Sequence, residues 1–239
     1  MCVACEQFGL NRRRFLTLSA ASLSAAAVFA GGRTAFAAGA KTSVTADEAM
    51  TKLQSGNEKF VSAPQMCAAD LLAQREKVAK GQTPWATIVT CSDSRVSPEL
   101  LFGGLGVGEL FVARNAGNMV DTATMGTIEY GAAELGVPLI VVMGHEKCGA
   151  VAAACSVVEK HAKFPGSIGP MVAAIVPAAK AVFGKPGDFV DNAVRESAKR
   201  TAKKVATKSK IVSALVKANK VKVVAARYDL DNGRVEFLS

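Results

Sequence analysis

Aromatic residues are scarce: 11 Phe, 2 Tyr and 1 Trp make up 6% of the 239 residues. The basic segment at 195–222, with Lys199-Arg200, Lys203-Lys204, Lys208 and Lys210, has no interleaved aromatics and no nucleic-acid motif. It reads as a solvated helix face, and no nucleic-acid partner is expected despite the net charge of +9. Long apolar runs are also missing. The alanine-rich stretch at 16–30 is too short and too weakly apolar for a good membrane span. Histidine is limited to 2 residues, His145 and His161, so imidazole-rich metal sites are excluded. No internal repeat stands out, and no low-complexity segment lies beyond the leader.

The first segment reads as a targeting sequence. Arg12-Arg13-Arg14-Phe15-Leu16 is a twin-arginine pattern, the apolar stretch follows it, and Ala35-Phe36-Ala37 places small residues at a cleavage site. Residues 1–37 are thus expected to be a signal peptide of the twin-arginine export type, and 38–239 one periplasmic domain without a membrane anchor. Cys2 and Cys5 would leave with the leader; Cys67, Cys91, Cys148 and Cys155 would remain. An oxidising compartment invites a disulfide reading of that even number. A domain of this size does not need such staples, and Cys67 and Cys155 lack metal-like neighbours.

Thr45-Ala46-Asp47-Glu48 is a capping box that opens a helix to about residue 60. Further helices are expected at 70–81, 124–135, 150–163 and 170–184, the last interrupted by Pro177, followed by one long basic helix capped by Asp188. β-rich runs end at Cys91 and at Ala113, and another covers 138–143. Residues 222–228 and 234–238 form a hairpin around Asp231-Asn232-Gly233. Alternating strands and helices predict an α/β fold, with a largely parallel central sheet flanked by helices and a C-terminal antiparallel edge strand. Ligand crevices in such sheets lie at the carboxyl ends of the strands, where Cys91, Arg114 and His145 all fall.

Those strand ends carry metal chemistry. His145-x-x-Cys148 offers two ligands across a tight turn beside a helix N-terminus, which favours a thiolate. Cys91 supplies a third from a neighbouring strand, and Gly144 and Gly149 are expected to let the backbone bend around the metal. Two thiolates and one imidazole suit Zn²⁺ with a fourth position open. Asp93 lies where it can accept a hydrogen bond from an attacking oxygen, and Arg95 can hold it in a bidentate pair. Alone, each piece has a plainer explanation: a structural histidine, a disulfide, a salt bridge capping a loop. Their joint occurrence points to a catalytic site.

Cys91-Ser92-Asp93-Ser94-Arg95-Val96 and Gly144-His145-x-x-Cys148-Gly149 resemble the two signature motifs of the β-class carbonic anhydrases. Arg114-Asn115-Ala116-Gly117-Asn118, Ile128-Glu129-Tyr130 and Gly81-Gln82-x-Pro84 resemble that family too, in the expected order, so that the likeness runs from about residue 45 to the end. The resemblance implies zinc-dependent, reversible hydration of CO₂ to bicarbonate and a proton. It implies Cys91, His145 and Cys148 as metal ligands and Asp93 and Arg95 as the catalytic dyad. It also implies Gln82 as a substrate-orienting amide and Phe111 and Tyr130 as pocket residues. In the family those side chains reach the zinc of a partner subunit, so a homodimer or higher oligomer is implied. Members regulated by bicarbonate carry Trp three residues before the first cysteine ligand; here Ile88 stands there, which implies the always-open coordination type.

Two alternatives share the motifs. A related zinc hydrolase would act on carbon disulfide or carbonyl sulfide, and a structural zinc-binding protein would close the site with a fourth protein ligand. His161 is expected to be an exposed surface residue rather than a proton shuttle, because it lies about four turns along the helix that follows the site.

Overall fold

A run of five apolar residues, Leu139 to Met143, has no polar alternation, as expected of a strand covered on both faces. In the computed structural model, which describes residues 41–63 and 71–239, this run is the centre of the sheet. Residues 1–37, Cys67 and Asp70, which figure in the expectations above, lie outside the described residues. The strands are β1 (Ala86–Cys91), β2 (Leu110–Asn115), β3 (Leu139–His145), β4 (Lys222–Tyr228) and β5 (Val235–Leu238), ordered β2-β1-β3-β4-β5. β1 is parallel to β2 and β3, and β3 to β4; β5 runs antiparallel on β4. The fold class is therefore the one expected.

Successive residues of β3 face opposite layers. Leu139, Val141 and Met143 pack with Leu53, Trp85, Ile88, Leu101 and Phe102, on the side of helices α1 (Ala46–Ser62) and α3 (Pro98–Leu101). Helix α2 (Leu71–Val78) precedes β1. Ile140 and Val142 face the other layer with Ile128, Ala198, Ala202, Val205 and Val212. Those residues belong to α4 (Thr122–Ala133), α7 (Phe189–Lys208) and α8 (Lys210–Lys217). A third cluster lies beyond the strand ends, where α5 (Gly149–Lys160) and α6 (Ile168–Val182) pack Val151, Val172 and Ile175 around Cys91 and Cys148.

Local chemistry explains the element ends. The capping box forms: Glu48 N–H donates to Thr45 Oγ1 at 3.2 Å, and Thr45 N–H to Glu48 Oε2 at 2.7 Å, a pair of bonds that stabilises a helix start by about 1 kcal/mol. Helix α5 stops at Lys160, short of residue 163, because His161 turns left-handed at φ 53°. Helix α6 runs through Pro177 without a break. The expected single basic helix is two: Ser209 ends α7 and caps α8 by accepting from Val212 N–H at 3.0 Å, while its hydroxyl donates to Glu129 Oε1 at 2.6 Å. Among the described residues no helix is long and apolar enough to cross a membrane.

The β4–β5 turn is tied down at both ends. Asp229 Oδ1 accepts from the N–H groups of Asp231 and Asn232 at 3.0 and 3.1 Å. Buried Asn57 of α1 donates to Leu101 O (3.1 Å) and Gly233 O (2.8 Å) and accepts from Val235 N–H (2.8 Å). A buried amide that meets three segments in this way fixes their relative position. The β4–β5 turn thus stands at the carboxyl end of β4, beside that of β3.

Candidate metal centre

Cys91 is the last residue of β1, His145 the last of β3, and Cys148 the N-cap of α5. One ligand atom from each lies within 4.8 Å of the others, and all three residues are buried. The imidazole is oriented from behind: Nδ1 stands 2.8 Å from the Glu146 carbonyl, which can only accept, so Nδ1 carries the proton and Nε2 the lone pair. His145 is fully buried, and Nε2 has no hydrogen-bond partner. A buried polar atom left unpaired costs about 1–3 kcal/mol, which an occupant of the site would offset. Two sulfurs and one imidazole nitrogen are the donor set that suits zinc, so the residues present fit the metal.

The two thiols are free. Cys91 is held below the usual thiol range, first because Cys148 donates to it and then by the Gly117 N–H, against the opposing effect of burial. Cys148 is pushed upward by that same proton sharing and by burial, which outweigh the amides of the α5 N-terminus. A metal that takes both sulfurs must displace the shared proton. Gly117 N–H donates to Cys91 Sγ at 3.3 Å. The position favours glycine: φ is +74°, and a Cβ would crowd Ile175 Cδ1 at 2.5 Å.

The two glycines beside the ligands act otherwise than expected. Gly144 is needed for packing, since a Cβ there would meet Val194 Cγ1 of α7 at 2.8 Å. Gly149 is not sterically required: nothing lies within 4 Å of where its Cβ would be, and φ is not positive.

Asp93 follows Cys91 into the turn after β1, and its Oδ2 is 3.8 Å from His145 Nε2. Arg95 grips both carboxylate oxygens, Nε to Oδ1 at 2.9 Å and Nη2 to Oδ2 at 2.7 Å. The Arg95 guanidinium holds the Asp93 carboxyl well below the usual carboxylate range. Arg114 donates from Nε to Cys91 O (3.0 Å) and from Nη2 to Asp93 O (2.8 Å). The ligand loop after β3 is braced as well. Glu146 Oε2 accepts from Leu230 N–H at 3.1 Å, and Lys147 Nζ meets both Asp231 oxygens at 3.0 and 2.9 Å. Lys147 thus occupies with its own charge the second acidic cluster, Glu146, Asp229 and Asp231.

The structure therefore brings together Cys91, Asp93, Arg95, His145 and Cys148. It does not bring Gln82, Phe111 or Tyr130 to them within one chain. Gln82 precedes β1, at the end opposite Cys91. Phe111 pairs in register with Thr87, four residues before the Cys91–Asn115 rung, or roughly 13 Å along the strand. Its ring lies 6.2 Å from that of Tyr130, so the two share one patch at the β2 edge. His161 is exposed at the end of α5, about 20 Å along that helix from Cys148. Cys155 is a buried free thiol, pushed up to about 11 by burial. Sequence reasoning had placed Arg114 at a strand end in the ligand crevice without giving it a role, and had assigned no part to Gly117 or Glu146.

Known proteins give the same answer as this geometry. The carbonic anhydrase family model matches residues 86–235. Carbonic anhydrase 2 of Mycobacterium tuberculosis is 34% identical over 184 residues, 76% of this chain and 87% of that protein. The carbonic anhydrase of Mycolicibacterium smegmatis is 34% identical over 191 residues, 78% of this chain and 90% of that one. Among solved structures, the Coccomyxa β-carbonic anhydrase in complex with acetazolamide superposes with a TM-score of 0.62 at 29% identity, covering 79% of this chain and 86% of that one. The β-carbonic anhydrase CcaA superposes at 0.64 with 24% identity, covering 80% and 99%, a likeness of fold. The family match spans the strands and loops that carry the cluster, and the relatives extend it to most of the chain: this protein belongs to the β-class carbonic anhydrases.

Proposed function

We propose that the chain is an exported zinc enzyme that interconverts CO₂ and bicarbonate, and that a second copy of the chain completes its substrate pocket. The observation that carries the reading is the buried, unpartnered His145 Nε2 facing two free cysteine sulfurs. Cys91, His145 and Cys148 would hold the metal. When bound, zinc supplies the Lewis acidity that makes a water nucleophilic near neutral pH.

The protein's own groups then do the positioning. Asp93, kept ionised by Arg95, can accept a hydrogen from the attacking water at Oδ2 and turn the oxygen lone pair toward carbon. Because Arg95 engages both carboxylate oxygens, Asp93 is held back from the metal position, in keeping with an always-open site and with Ile88 buried in the core. One water and one CO₂ give bicarbonate and a proton, and the proton leaves to buffer. CO₂ is apolar and uncharged, so its pocket needs apolar walls and no charged clamp. Phe111 and Tyr130 supply such walls, and Gln82 an amide, if a second copy covers the β2 edge, which in one chain pairs only with β1. Two β-carbonic anhydrases of Sordaria macrospora with a similar fold are tetrameric.

The periplasmic location and cleavage near residue 37 rest on the twin-arginine pattern and the small residues that follow it. Folded export would let the metal enter before translocation.

The test is a stopped-flow CO₂ hydration assay on zinc-analysed protein, run beside carbon disulfide and carbonyl sulfide. One zinc per chain and CO₂ turnover are expected. Protein without stoichiometric zinc, or loaded protein that turns over only the sulfur substrates, contradicts the reading.

A further inference from the structure

We infer that Arg114 is a positioning residue for this reaction: it holds the main chain of the 91–93 turn while Arg95 holds the Asp93 side chain. The inference rests on the carbonic anhydrase reading above and deepens it. Its basis is where the guanidinium spends its donors. β1 keeps its β3 partner only as far as the Thr90–Met143 rung, whereas on the β2 side pairing reaches Cys91–Asn115. Ser92 N–H still donates to Asn115 O at 3.1 Å, and there the chain leaves the sheet. The turn that follows carries the carboxylate and has no strand partner, and the metal-ligating sulfur stands on Cys91, the last paired residue before it. Arg114 Nε takes the carbonyl of Cys91 at 3.0 Å and Nη2 that of Asp93 at 2.8 Å. Asp93 O also accepts from Val96 N–H at 3.0 Å, a bond local to the turn.

The shape of the guanidinium matters. A rigid planar fork that reaches two carbonyls two residues apart fixes the turn as a body, whereas an ammonium meets them as a point charge. The plainer explanation is an exposed arginine that covers a strand end. Against it, Arg114 is exposed and yet turns two nitrogens inward, onto the carbonyls of the two residues in the turn that carry chemistry. The two arginines thus divide the work. Arg95 sets the rotation of the Asp93 carboxylate, and Arg114 sets where Cys91 and Asp93 stand relative to His145 and Cys148.

Arg114→Met keeps the length and loses every donor; Arg114→Lys keeps the charge and loses the fork. Each is loaded with zinc or cobalt(II) and compared with wild type at matched oligomeric state. For the methionine variant, metal release to a chelator is expected to be roughly ten-fold faster and kcat roughly ten-fold lower, with KM less affected. Its thiolate-to-cobalt absorption should shift, and lysine should recover part of each change. A merely structural arginine would lower Tm and leave the cobalt spectrum, the release rate and the kcat-against-KM split at wild-type values; that result overturns the inference. If methionine prevents folding, the lysine variant decides, since wild-type release and spectrum there also overturn it. Wild-type protein that takes no metal or does not hydrate CO₂ sinks the functional reading itself, and the positioning role with it.

Discussion

The ends of β1 and β3 and the edge of β2 were both expected to serve one reaction, yet the chain treats them differently. At the strand ends a single chain assembles Cys91, His145, Cys148 and Asp93, and three of them have a named brace: Gly117 N–H for Cys91, the Glu146 carbonyl for His145, and Arg95 for Asp93. At the β2 edge, Phe111 and Tyr130 touch each other and remain roughly 13 Å of strand away from Cys91. The metal centre is thus a property of the fold of one chain, and the proposed substrate walls are a property of an assembly. Substitutions in the first region should act on the isolated chain, and those in the second should act through association.

Cys148→Ser gives the sharpest separation. It removes a first-sphere sulfur, so zinc content by elemental analysis should fall below one per chain and kcat should drop by more than the roughly 100-fold upper range of outer-sphere changes. Retained zinc and turnover would erase the distinction between the regions. Asp93→Asn keeps the metal donors and loses the acceptor, with kcat expected to fall about 100-fold or more at unchanged zinc stoichiometry. Phe111→Ala should leave zinc content intact and reduce activity several-fold, in step with a weaker oligomer on a sizing column. Activity lost at constant oligomeric state would place Phe111 in its own chain's pocket.

The smallest effect lies outside both regions. The Arg227 guanidinium holds the Asp229 carboxyl below its usual range. A depressed folded-state pKa contributes stability that is fully present above the ordinary value and is lost as pH falls through the folded one. Asp229→Asn should therefore cost about 1 kcal/mol in urea unfolding at neutral pH and less at about pH 3. An equal cost at both would remove the ion pair from the account.

What was legible follows the same division. The apolar run of β3, the capping box at Thr45 and the Cys91, His145, Cys148 set are local patterns, and each stands where its pattern placed it. The break at Ser209 was not legible, because a basic helical periodicity runs through it and the cap gains its partner from Glu129, distant in sequence. Gly144 was noticed for the wrong reason, since Val194 belongs to a helix that no local pattern links to it. The part played by Arg114 depends on backbone carbonyls, which carry no residue identity. The metal donors are therefore readable from side chains alone, whereas their supports are main-chain groups that only the fold reveals.

The central claim is one zinc held by Cys91, His145 and Cys148, with its remaining position left to solvent. Zinc X-ray absorption on the purified protein tests it most directly. Two sulfur scatterers, one imidazole and one exchangeable light atom are the predicted shell. A fourth protein ligand, or Cys91 and Cys148 joined as a disulfide in metal-free protein, would contradict it.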